Sequence, residues 1–165
     1  MTLDDVRART GTSKSQLFHY FPGGKDDLLL TVARHESAKV LSDQQPQLGD
    51  LTSWPAWRAW RDRVLARYRA QGTECPLNSL MSQIGRNTPG ARAVTSELID
   101  QWQREIANGI RHMQGIGEIR AGLDADESAA ALLAGIQGGV AVMLATGRST
   151  HLQAALDVGI QSLRR

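Results

Sequence analysis

The stretch from Ser13 to Tyr20 gathers Ser13, Lys14, Ser15, Gln16, His19 and Tyr20 within two turns of chain. Hydroxyls and an ammonium suit phosphate oxygens, while an amide, a hydroxyl or an imidazole suits base edges in a major groove. The Gln16 amide is able to pair N6 and N7 of one adenine. Leu17, Phe18 and Phe21 interleave as apolar contacts. No comparable set points to bond-making chemistry. His19, His35, His112 and His151 lie on different elements with no carboxylate or Cys at ligand spacing, which argues against a metal centre or a catalytic histidine. Cys75, beside Pro76 and without a nearby His, reads as a small buried or loop residue. Arg58, Arg61, Arg63, Arg67 and Arg69 spread around one segment with Asp62 among them, the pattern of a solvated face rather than an anion site.

The elements that must position these residues are helices. Apolar residues recur at three and four, almost never in alternation, so the fold class is all-α. A short helix from Thr2 to about Arg9 carries Asp4 and Asp5 in its first turn and ends before Gly11. Ser13 caps a second short helix, which Pro22, Gly23 and Gly24 stop after Phe21. A longer helix follows from Lys25 with Leu28, Leu29, Val32 and Val40. Ser42 to Asp50, polar and holding Pro46, is expected to be an exposed loop. Further helices are expected from Ser53 to about Ala70, over Pro76 to Ile84, through Val94 to Met113, from Asp124 to about Thr146, and from Thr150 to the end.

Composition narrows the function classes. The chain has 165 residues, 41% of them hydrophobic, enough for a real core. Its 19 Lys and Arg against 17 Asp and Glu leave a net charge of only +2, and neither end is a basic tail. The basic pI of 9.0 therefore does not by itself imply nucleic acid. One cysteine excludes an internal disulfide, and no secretory leader pattern opens the chain, so a cytoplasmic protein is expected. The uncharged run Ser128 to Gly147 has the length of a membrane span, but its glycines and Gln137 favour a buried helix and no membrane partner.

Helix, glycine turn and helix is the arrangement that places a recognition helix in a DNA major groove, although spacing alone equally describes an ordinary helical hairpin. The residues go further. Thr2-Leu3-Asp4-Asp5-Val6, then Thr10-Gly11-Thr12-Ser13-Lys14-Ser15-Gln16-Leu17-Phe18-His19-Tyr20-Phe21, then Lys25-Asp26-Asp27-Leu28-Leu29, resemble the DNA-binding head of TetR-family transcriptional regulators. The resemblance implies phosphate contacts by Thr2, Lys14, Tyr20 and Lys25, with Ser15, Gln16 and His19 facing bases. It divides the chain into a helix-turn-helix head with its connecting helix, residues 1–41, and a ligand-binding and dimerisation domain, residues 42–165. Three positions depart from the family pattern. Phe18 stands where Tyr is usual, Ser15 where Gly is common, and Gly23-Gly24 lengthens the turn by one residue. In that family a further helix of about 15 to 20 residues precedes the helix-turn-helix. The natural protein is therefore expected to begin upstream, and the head to be loose without that helix to cover Leu3, Val6, Leu17 and Phe21.

The resemblance also implies double-stranded operator DNA, a small-molecule effector and a second copy of the chain as partners, with no cofactor, no metal and no enzymatic activity. Large adaptable residues that would line an apolar effector pocket are Trp57, Trp60, Tyr68, Met81, Trp102, Ile106 and Met143, with Gln137 as a polar contact. Plain core filling is the standing alternative for each, since such stripes usually pack against neighbours. Glycines at 109, 135, 138 and 139 are expected to leave space beside them. Between Ala129 and Ala145 a large stripe, Leu132, Ile136, Val140 and Met143, opposes a small one, Ala130, Ala134, Gly138, Ala141 and Ala145. The small stripe, with Leu152, Leu156, Ile160 and Leu163, is the expected homodimer interface. The implied function is a repressor released from its operator by an apolar or aromatic molecule; the alternative is a ligand-binding helical dimer without DNA binding.

Overall fold

The computed structural model describes residues 10–71 and 89–164. Within them the chain is helical: α1 (Lys14–Tyr20), α2 (Lys25–Ser42), α3 (Trp54–Gln71), α4 (Pro89–Gly115), α5 (Ala125–Thr146) and α6 (Thr150–Ser162). The expected helix at Thr2 to Arg9, the segment Pro76 to Ile84, and Cys75 lie outside the described residues.

Local chemistry explains where the helices begin and end. Ser13 and Gln16 form a capping box: the Gln16 amide N–H donates to Ser13 Oγ at 3.2 Å, and the Ser13 N–H donates to Gln16 Oε1 at 3.0 Å. Gly24, at φ +70°, turns the chain into α2 in a conformation that other residues resist. The Asp27 carboxylate accepts from the Gly23 N–H at 3.1 Å, bracing this turn. Ser53 Oγ accepts from the Ala56 N–H at the start of α3. Asp124 accepts from the N–H groups of Asp126 and Glu127, both at 2.9 Å, and left-handed Gly147 closes α5.

Packing follows the helical stripes. Trp57, Trp60, Val64 and Tyr68 line the inner side of α3, and Leu98, Trp102, Ile106, Ile110 and Met113 that of α4. With Leu132, Ile136, Val140 and Met143 of α5 and Leu152, Leu156 and Ile160 of α6, they form one continuous core. The backbones of α5 and α6 touch at Gly139, where an added Cβ would stand 2.5 Å from Leu152 Cα. Near its start, α4 also meets α2 through a small separate cluster of Ala33, Ala91 and Val94.

Two expectations need correction. The polar stretch Ser42 to Asp50 is not simply an exposed loop, because Gln44 and Leu48 are buried in it, as is Leu51 just beyond it. Gln44 is satisfied by a donor and an acceptor: Trp60 Nε1 donates to its Oε1 at 2.9 Å, and its Nε2 donates to the Val40 carbonyl at 2.9 Å. Nor is the arginine face of α3 only solvated: Arg58, Arg63 and Arg69 are exposed as expected, but four of the five arginines bond to neighbouring elements. Arg61 grips Asp157 of α6 with two hydrogen bonds, at 2.8 and 3.0 Å, and that bond first, then one to Asp62, raises its pKa further. Arg69 reaches Ser149 and Gln153, whereas Arg63 and Arg67 turn the other way to Asp43. These four arginines join α3 to both of its neighbours.

Candidate functional site

On α1, Leu17 is the buried residue, and it fixes which side of the helix faces inward. Lys14, Ser15, Gln16, His19 and Tyr20 are all exposed, as is Lys25 at the start of α2. Tyr20 is 71% exposed and Phe18 43%, unusual for aromatic side chains in so small an element. The His19 and Tyr20 rings meet edge to face at 5.3 Å. Of the residues assigned to DNA by resemblance, Thr2 lies outside the described residues. The remaining six are gathered on and just after one short helix. Gln16 also serves the capping box that its spacing from Ser13 marks. Its Oε1 already accepts from the Ser13 N–H, so one lone pair and the Nε2 donors remain for a base edge and the cap limits how the amide can turn.

The second group expected to act together, Trp57, Trp60, Tyr68, Trp102, Ile106 and Met143, meets in the core, each between 0% and 5% exposed. Met81 lies outside the described residues. Trp57 and Trp60 pack edge to face at 5.8 Å. Two of the four glycines, Gly109 and Gly139, do not hold space open for them, and Gly138 opens to the outside. A Cβ at Gly109 would come 2.5 Å from Leu51 and 3.2 Å from Trp57, so that glycine is filled by its neighbours, and Gly139 is filled by Leu152. Around this packing stand polar groups in an unusual state. Trp57 Nε1, Trp102 Nε1 and Gln137 Nε2 are buried with no hydrogen-bond acceptor. Each such donor costs about 1–3 kcal/mol.

The small stripe of α5 faces outward. Ala134, Gly138, Ala141 and Ala145 are exposed and Ala130 is half-buried, while the large stripe is in the core. On α6 the outcome differs from expectation. Leu152, Leu156, Ile160 and Leu163 are buried against their own subunit, because α6 needs that face to pack on α5 and α3. The outward residues of α6 are instead His151, Ala154, Asp157, Val158 and Gln161, with Val158 69% exposed. By length and composition α5 is apolar enough to cross a membrane. Its larger side chains are already engaged with α4 and α6. Among the described residues no three His, Cys, Asp or Glu side chains stand close enough to hold a metal.

Sequence reasoning missed the residues that join these regions. Trp60, Arg63 and Arg67 lie at three- and four-residue spacing on α3, and all bond to Asp43 or Gln44 at the end of α2. Only that spacing hinted at a shared target.

Comparison with known proteins agrees with this architecture. Residues 56–158 match the family model described as tetracyclin repressor-like, C-terminal domain. The crystal structure of regulatory protein TetR from Rhodobacter sphaeroides superposes with a TM-score of 0.78 at 22% identity, covering 98% of this chain and 87% of that one. No curated protein matches the sequence. The structural likeness covers 98% of the chain, and the family model covers most of the chain from α3 to α6. The chain belongs to the TetR family of transcriptional regulators.

Proposed function

We propose that this chain is a cytoplasmic, homodimeric, DNA-binding repressor without enzymatic activity, released from its operator when a small molecule binds among the α3, α4 and α5 side chains. The observation that carries the DNA-binding part is the exposed row Lys14, Ser15, His19, Tyr20 and Lys25 on a capped helix after a glycine turn. Residues 1–41 act as the head and residues 42–165 as the effector and dimer domain in this reading. Lys14, Tyr20 and Lys25, with Thr2, hold phosphates, while Ser15, His19 and Gln16 face bases.

Support for the effector comes from the unpaired donors at Trp57, Trp102 and Gln137. They favour an apolar or aromatic molecule bearing acceptor oxygens and lined by Trp60, Tyr68, Met81, Ile106 and Met143. The outward small stripe of α5, with Ala154 and Val158 of α6, supports a face where a second copy approaches closely. Release requires the effector to prefer the conformation that does not fit the operator, with a coupling of about 1–3 kcal/mol.

A gel shift with the DNA flanking the gene tests the central claim. A retarded band that weakens steeply with salt is expected. The second reading, a helical ligand-binding dimer without DNA binding, is favoured by the cap, which restricts the Gln16 amide by using one lone pair of its Oε1. Failure to shift that DNA at micromolar protein and low salt would select it.

A further inference from the structure

A groove of about 380 Å³ runs between α2 and α3, lined by Lys39, Asp43, Arg63, Ala66, Arg67, Ala70 and Gln71. Its volume falls within the range of about 300–1,000 Å³ typical of small-molecule sites. Three cationic side chains and one carboxylate line it, a local excess of positive charge on a chain whose overall charge is close to balanced. It is remote in kind from the tryptophan core, which is apolar and rich in uncharged donors.

Arg67 makes this more than a basic surface. Its side chain is only 7% exposed, and its Nε donates to Asp43 Oδ2 at 3.0 Å. Its Nη1 is buried with no acceptor. Guanidinium groups offer five N–H donors in a planar fork suited to oxyanions, and leaving any buried is costly. The Arg63 Nε is taken by the Asp43 carbonyl at 2.6 Å, which fixes that guanidinium at the groove, and the Lys39 ammonium has no bonded partner among the described residues. Gln71 Oε1, a half-buried residue's acceptor, is also without a donor. The groove therefore offers cations for an oxyanion and one acceptor for a hydroxyl.

The geometry points to a second small-molecule site at this joint, taking a small oxyanion that carries its own hydroxyl. The oxyanion sits against Arg67 and Lys39, and the hydroxyl donates to Gln71 Oε1. Asp43 is the first residue after α2, so an occupant that draws on Arg67 competes with the contact holding the end of α2 to α3. The site thus acts on the junction between head and core without entering the core.

Isothermal titration of the full chain at constant ionic strength tests this, with glycolate, inorganic phosphate and acetate as probes. Saturable binding of glycolate or phosphate is expected, with acetate, which lacks a donor for Gln71, weaker. Lys39→Ala and Arg67→Lys should each weaken binding about tenfold or more, the loss of one charge-assisted contact. Lys39 is exposed, so its variant keeps the test meaningful if Arg67→Lys disturbs folding. No saturable binding of any probe, or binding that both variants leave unchanged, overturns the site. Acetate binding as tightly as glycolate overturns the role of Gln71. None of these measurements involves operator DNA, so their failure is separate from a failed gel shift.

Discussion

The short helix α1 and the long helix α4 show two ways of building with the same material. In α1 a cap, a glycine turn and one buried leucine hold seven residues whose remaining side chains face water. In α4 eight residues are buried along 27, and Trp102, Ile106 and Ile110 are fully enclosed in the core. Isolated segments as short as α1 are marginal in water, so α1 depends on its cap and on what Leu17 touches. The lesson is a division of labour. Where chemistry must stay exposed, local hydrogen bonds carry the geometry; where a shape must be held, burial carries it.

The sharpest way to break this contrast is to truncate one aromatic in each region. Trp102→Ala should cost about 3–5 kcal/mol and lower Tm by about 6–20 °C, while Phe18→Ala should change stability by about 0.5 kcal/mol or less. Thermal unfolding followed by circular dichroism measures both. Comparable losses at the two sites would show that the head is as tightly packed as the core.

Adjacent glycines on α5 give a finer comparison. Gly139→Ala pushes a methyl into the Leu152 backbone and should destabilise by about 1–3 kcal/mol. Gly138→Ala meets open space and should stabilise by up to about 1 kcal/mol through helix propensity. Gly138→Arg belongs with this pair. It should leave the subunit folded yet disrupt the proposed dimer, seen as a halved mass in light scattering.

Within the head, function and stability should separate. Lys14→Ala is expected to weaken operator binding about tenfold and lower the salt slope by about one, with Tm unchanged. Ser13→Ala should have the smallest effect, about 1 kcal/mol of local helix stability. Hydrogen exchange would show it as faster exchange at the Leu17 and Phe21 amides, with Ile110 unaffected. A global loss of protection would instead mean that α1 and α4 unfold together.

Residues whose role depends on near neighbours could be read from sequence, and those whose role depends on a distant partner could not. Ser13, Asp124 and Gly147 mark helix ends by local chemistry, and the α4 stripe repeats at a period that only a helix explains. Gln44, Leu48 and Leu51 sit in a stretch rich in Gln, Pro and Gly, and nothing local tells that Trp60 will supply a donor there. Arg67 looks like Arg58 in sequence, yet one is buried against Asp43 and the other is exposed. Gly109 and Gly139 suggest empty space in sequence, whereas in the fold they allow close contact. The row of exposed residues on α1 is legible in the sequence, as is the spacing of Ser13 and Gln16 that marks a capping box.

The bond from Trp60 to Gln44 gives the molecule an optical reporter of its own. Indole emission depends on polarity and hydrogen bonding at the ring nitrogen, and Trp60 donates to the residue two positions beyond the end of α2. Trp54 donates to Glu118 beneath the Arg164 guanidinium, and Trp57 and Trp102 have unpaired ring nitrogens, so four indoles sample three distinct surroundings. Replacing three of them with Phe would leave Trp60 as a single fluorophore, able to register movement of α2 against α3 without any attached dye.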